Sequence, residues 1–405
     1  MKKNDTDEKR LSSGRNGQKR VYFDWAASAP PDFNADLYAC EKQLFANPSS
    51  QHSEGKAAKD AIEDARKRCA KALNVPPETL YFTSGGTESN SIALFSNLMK
   101  KGSGRILSSM TEHASIREGM ETLEKMGKPT GKITVDSSGR VTPATLEKAL
   151  EKYPDTRFAA IMSVNNETGA VTDIDSLKNV LRKKTGAPIH LHCDLVQTTG
   201  KIPFDIQKSE IDSASISAHK ICGPRGIGLL YLRRPIEVFY SGGGQENGIR
   251  GGTENTTGAA ALANCLEQVA DNSEKAAANR EQAQGRWQKL ITSLTLMDRC
   301  RLIPAERYAK DSPLNQPAPY SPYILQAAFK NIPGEVMARA LDDLGFAVST
   351  GSACSSSSPE RPVLLAMGLE ESLRIEGIRI SQGYTTSDED IDLLIKAITE
   401  VLKFL

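Results

Sequence analysis

Lys220 closes the run IDSASISAHK, a strand pattern of apolar and small residues starting at Ile211, and is followed by the turn GPRGIG and a second strand, LLYL. An ammonium at the end of a buried strand is costly unless its pKa falls or the amine is consumed in a Schiff base. A solvated loop lysine is the plainer alternative. The glycines of GPRGIG have the wrong spacing for a dinucleotide-binding turn and precede a strand, not a helix. Arg379 lies between Ile378 and Ile380 on another strand pattern; a planar fork gripping a substrate carboxylate explains it better than a surface charge does. Cys354 sits in TGSACSSSSP. Small flanking residues let such a loop swing, and a partly exposed thiol can reach the thiolate form that attack requires. An ordinary surface cysteine in a serine-rich linker is the alternative.

In TSGGTESN, from Thr83, a strand enters a Gly-Gly turn and a helix starts near Thr87, so the N–H groups of Gly86 and Thr87 face outward at a positive helix end. A phosphate belongs there. No Gly-Lys-Ser/Thr follows, which disfavours a nucleotide triphosphate. Glu88 reads as a first-turn residue. The run His190, Leu191, His192, Cys193, Asp194 admits a metal reading, but no further ligand has recognisable spacing; Asp194 at a strand's carboxyl end is equally placed to serve a crevice of an α/β sheet. The seven cysteines contain no Cys-x-x-Cys pair, which fits a reducing compartment. Cys69 and Cys265 fall in apolar helical patterns and read as inert core residues.

These groups need a frame. Short β-rich runs (Leu80 to Thr83, Arg105 to Ser108, Phe158 to Val164, Ile189 to Cys193, Ser213 to Ser217, Gly228 to Leu232) alternate with helical patterns, which predicts an α/β layer fold with a mostly parallel sheet. Residues 258–296 predict one or two long helices with Trp287, Leu290 and Leu294 on one face. Beyond them come a strand around Tyr323 to Phe329, a helix from Glu335 to Leu344, strands near Ala347 and at Gly377 to Ser381, and a closing helix capped by Ser387 and Asp390. Residues 1–20 are polar and aperiodic, an expected disordered tail. With 51 Lys plus Arg against 50 Asp plus Glu, the net charge of +1 offers no field for nucleic acid or an anionic membrane. No apolar run is long enough to span a bilayer, and the start, MKKNDTDEKR, resembles neither a signal nor a transit peptide. A cytoplasmic protein is expected.

SAHKICGPRGIG is similar to the cofactor-lysine motif of the class V aminotransferases, pyridoxal-phosphate enzymes of fold type I, and specifically of the cysteine desulfurases. The family's other signatures occur in order: YFDWAASAPP from Tyr22, NPSSQHSEG from Asn47, TSGGTESN from Thr83, TEH at 111–113, NNETG from Asn165, DLVQ from Asp194, RGGT from Arg250 and STGSAC from Ser349. The resemblance implies a seven-stranded, mostly parallel sheet in a large domain (30–265), a small α+β domain (266–405) bearing Cys354, and a segment 21–29 associated with the small domain. It implies Lys220 as the cofactor-linked lysine and Asp194 on the pyridine nitrogen. Gln197 and Asn166 would bond the phenolic oxygen. Gly86, Thr87, Ser217 and His219 would contact the phosphate or the cofactor pocket, and Thr253 would reach the phosphate from a second subunit of a homodimer. His113 would stack on the ring and shuttle protons; Arg379 and Asn47 would bind L-cysteine. Sulfur would rest as a persulfide on Cys354, alanine would leave, and an acceptor such as an iron–sulfur scaffold or a tRNA-thiolation protein would take the sulfur. Leu195, Ser91, Tyr384 and the GIR before Ile380 depart from the usual pattern; none removes a cofactor-anchoring residue. Another class V enzyme, a selenocysteine lyase or an aminotransferase, would need Lys220 and Asp194 but no nucleophilic Cys354, and a non-catalytic scaffold is the remaining alternative.

Overall fold

The computed structural model describes residues 20–31, 41–100, 102, 104–184, 188–270, 274–308, 320–351 and 360–405. The expected tail, apart from Arg20, lies outside these residues, as do Cys40 and Cys354. Among the described residues twelve strands run in chain order: β1 (Val21–Tyr22), β2 (Leu80–Thr83), β3 (Arg105–Ser109), β4 (Thr130–Ile133), β5 (Thr156–Met162), β6 (His190–Asp194), β7 (Ser213–Ser217), β8 (Gly228–Leu232), β9 (Cys300–Ile303), β10 (Ile324–Phe329), β11 (Phe346–Ala347) and β12 (Gly377–Ser381).

Seven of them form the central sheet in the order β2-β8-β7-β6-β5-β3-β4. Only β8 runs antiparallel to its neighbours; the other pairings are parallel. Because β8 reverses between β2 and β7, the carboxyl ends of β2, β3, β5, β6 and β7 share one edge. Parallel neighbours need crossovers, supplied by helices such as Ala114–Lys125 between β3 and β4 and Ile174–Lys183 between β5 and β6. A sheet covered on both faces reads as a continuous apolar run, and Phe158 to Ile161 of β5 are indeed fully buried.

A second core gathers Trp287, Leu290 and Leu294 of the helix Glu274–Thr295, Ile391, Leu394 and Ile398 of the closing helix Asp388–Phe404, and the antiparallel sheet β12-β10-β9. The Ser387 and Asp390 capping box is present. β1 pairs in parallel with β11, so the chain's first described residues are tied to its last quarter. The long helical stretch divides into Thr256–Val269 and Glu274–Thr295.

Three strands, β1, β4 and β9, are additions to the sequence reading. β1 is two residues long, while Gly131 and Arg301 break the apolar pattern of the other two. The strand expected over Phe158–Val164 ends at Met162, because Val164 leaves the sheet to bridge Val171 around the NNETG turn. Among the described residues no helix is long and apolar enough to cross a membrane.

Candidate active site

The shared carboxyl edge carries the expected groups. After β2 comes the Gly-Gly turn, after β3 His113, after β5 Asn166, at the end of β6 Asp194, and after β7 the turn Ala218–Lys220. Ligands of open α/β sheets bind at this edge.

A cavity of about 320 Å³ lies at the start of the helix Gly86–Phe95, walled by Gly86, Thr87, Ser217, His219 and Arg225. Gly85 has φ +148°, which L side chains rarely adopt, and a Cβ on Gly86 would stand 2.6 Å from Val196 Cγ2, so backbone alone can line this turn. The helix's unpaired N–H groups and positive dipole end make an anion cradle. Arg225, unforeseen from the sequence, adds a cation. Glu88 is held away from a catalytic role, accepting from Ser84 N and from Arg250 Nε (3.3 Å).

Lys220 is half-buried. Its Nζ donates to the carbonyls of Ala26 (2.6 Å) and Ala27 (2.8 Å), and burial first, then the charges of Arg379 and Lys201, push its pKa down to about 7. The lowered pKa enlarges the neutral fraction of the amine, the state that attacks a carbonyl. Gln197 Nε2 donates to the same Ala26 oxygen (2.9 Å), and its Oε1 accepts from the buried Lys201 Nζ (2.8 Å). Lys201 itself is lowered to about 8 by burial.

Asp194, buried at 3% exposure, accepts from Asn90 Nδ2 and from Val196 N, both at 2.9 Å. Asn90 also reaches Ser115 Oγ and His192 Nε2, each at 2.9 Å. His190 and His192 share Ser213 Oγ at 2.7 and 2.8 Å, and burial holds their pKa values at about 4 and about 3. The two histidines therefore serve Ser213 and the sheet. Among the described residues no group of three or more His, Cys, Asp or Glu could hold a metal ion.

Arg379 is 1% exposed on β12. Its Nη1 donates to Asn166 O (2.9 Å) and Nη2 to Asp24 Oδ1 (2.8 Å), while Nε is buried without a hydrogen-bond partner. Its backbone pairs with Ser349, N to O at 2.6 Å and O to N at 3.2 Å, so the strand end that leads toward Cys354 is tied to the guanidinium's own residue. Two expected residues stand apart. Asn47 is exposed and accepts locally from Ser49 N (2.9 Å), and Thr253 is exposed.

Sequence reasoning missed Asp24, Asn90, Ser115, Lys201 and Arg225. Lys201 had a local signal, since it follows Gln197 by one helical turn. The donor set suits pyridoxal phosphate: an anion cradle, a lysine of lowered pKa, a buried carboxylate at a strand end, and Asn166 Oδ1, which is buried with no hydrogen-bond partner and faces the cost of an unmet polar group until a donor arrives.

A family model described as aminotransferase class-V matches residues 21–394. The chain is 35% identical to cysteine desulfurase IscS of Dictyoglomus turgidum, covering 95% of each, and 33% identical to the mitochondrial cysteine desulfurase of Saccharomyces cerevisiae, covering 96% of this chain and 76% of that one. Among solved structures, a NifS-like protein superposes with a TM-score of 0.84 at 33% identity, covering 95% of this chain and all of the other.

Proposed function

The chain belongs to the class V aminotransferase family, and from that membership and the site we infer a pyridoxal-phosphate-dependent cysteine desulfurase, which converts L-cysteine to L-alanine and keeps the sulfur as a persulfide on Cys354. The observation that carries the reading is the pairing of Ser349 with Arg379. It ties the group suited to a substrate carboxylate to the segment bearing Cys354, five residues on; extended chain of that length reaches roughly 17 Å. An aminotransferase needs no nucleophilic thiol.

When bound, the cofactor supplies an electron sink that eases removal of the substrate's Cα proton. Gly86, Thr87, Ser217 and His219, with Arg225, would hold its phosphate; Asp194 its pyridine nitrogen; Gln197 and Asn166 its phenolic oxygen; Lys220 its carbonyl carbon. Arg379 would orient the carboxylate of L-cysteine. Lys220, with its pKa near 7, can take and return the Cα proton. The Cys354 thiolate attacks the substrate sulfur, the C–S bond breaks with its electron pair going to the carbon side, and protonation of that side gives alanine. A homodimer completed by Thr253 at the partner's phosphate site, a cytoplasmic setting, and an acceptor such as an iron–sulfur scaffold are part of the proposal.

The test is to incubate the purified protein with L-cysteine and a reductant and to measure alanine and sulfide. Equal yields of both support the reading. A protein that binds the cofactor yet forms neither is a scaffold, and the reading fails.

A further inference from the structure

His113 caps the helix Ala114–Lys125 with its own ring. Its Nδ1 accepts from the backbone N–H of Ser115 at 3.2 Å and lies 2.9 Å from Ser115 Oγ. A hydroxyl can turn, but a backbone N–H cannot be reversed, so Nδ1 must present its lone pair. The hydroxyl is constrained as well. Ser115 Oγ already accepts from Asn90 Nδ2 (2.9 Å), whose orientation is set by donating to Asp194 Oδ2 (2.9 Å) while Oδ1 faces His192 Nε2 (2.9 Å). Ser115's proton is thereby sent toward Nδ1. Two donors meet at that nitrogen, and the ring's proton belongs on Nε2, which bonds no described residue.

Adding a proton at Nδ1 would set N–H against N–H at the positive end of a helix dipole. Burial lowers the ring's pKa, helped by Lys220 and Arg117 and opposed by Asp194 and Glu118. A helix N-terminus is known to keep a catalytic histidine neutral and donating.

We propose that His113 faces the site as a neutral ring donating from Nε2–H, and that Ser115 and Asn90 are positioning residues that lock this tautomer. The inference deepens the desulfurase reading and rests on it only for what Nε2–H meets: the substrate's sulfur or another electron-rich atom. A ring so held cannot accept a proton at Nε2, which leaves the Cα proton to Lys220 and makes His113 an electrostatic partner in place of a shuttle.

The chain has five histidines, few enough to resolve in a holoprotein labelled with 15N-histidine, with the His113→Gln spectrum identifying the missing resonances. Between about pH 6 and pH 9, His113 should keep a pyridine-type Nδ1 and a pyrrole-type Nε2 without titrating. Ser115→Ala keeps the backbone N–H and so should keep this tautomer while moving the ring's titration up into the range read, and Ser115→Thr should restore the native pattern. An Nδ1–H ring, or a ring titrating near its ordinary value, in the native protein overturns the proposal; a Ser115→Ala spectrum identical to the native one overturns the role of Ser115. The spectrum is read without substrate, so absence of desulfurase activity would leave this result standing.

Discussion

Asp24 Oδ1 lies 2.8 Å from Arg379 Nη2, so the guanidinium best placed for a substrate carboxylate already holds an internal one. Asp24 belongs to the segment whose next residues, Ala26 and Ala27, receive Lys220 Nζ, while Phe23 O accepts from Ser381 N at 2.8 Å. One short stretch therefore joins the edge of the central sheet to β12 and sets the distance between the lysine and the arginine. Of the guanidinium's other N–H donors, Nε is buried without a hydrogen-bond partner.

Two carboxylates on one guanidinium repel each other. Asp24→Asn keeps an oxygen for Nη2 and removes the charge, so KM for L-cysteine should fall by about threefold to tenfold, on the order of 1 kcal/mol, with a smaller change in kcat. Steady-state kinetics decides this, and a higher KM would mean that Asp24 helps substrate binding.

Capture of the cofactor by the apoprotein should depend on pH through Lys220. The neutral amine is the reactive form, and its pKa is pushed down to about 7, so the rate should rise as pH increases through 7 and then level off. Lys220→Ala should abolish the absorption band of the linked cofactor. Lys201→Met removes one of the charges that lower Lys220, so its capture profile should move to higher pH, by less than about one unit. A profile moved to lower pH contradicts this electrostatic account.

Arg66 and Glu246 form a buried two-pronged pair, with contacts of 2.7 and 2.8 Å. Glu246 also accepts from Phe82 N (2.7 Å), and Arg66 donates to Leu80 O (2.7 Å). The pair fastens the loop before Arg250 and Thr253 to β2. Arg66→Met leaves a buried carboxylate without its counter-charge, a loss of about 3–5 kcal/mol. Denaturant unfolding should give a lower midpoint, and a midpoint unchanged from the native chain would show the pair to be energetically idle.

The placement of Gly86, Asp194, Ser217 and Lys220 can be read from the sequence because each ends a strand pattern or opens a helix, and such signals are local. The partners that tune them are not local. Asn90 meets Asp194 across 104 positions and Asp24 meets Arg379 across 355, and no periodicity encodes contacts made by the sheet order. The same holds for the fold. The strands built from continuous apolar runs are foreseeable, whereas β1 exists only because β11 offers it a partner.

Cys354 should be the thiol that receives sulfur. The five cysteines among the described residues are all buried, and burial raises Cys69 and Cys300 to about 12 and Cys193 well above its ordinary value, so these three hold negligible thiolate at neutral pH. Cys40 and Cys354 lie outside those residues, and only Cys354 follows Ser349, the residue paired with Arg379. Cys354→Ser should keep the cofactor spectrum and still bind L-cysteine, yet release no sulfide and take no persulfide label. Cys40→Ser should behave as the native enzyme. If Cys354→Ser released sulfide at the native rate, sulfur would be leaving without a protein nucleophile, and a lyase would become the better account of this site.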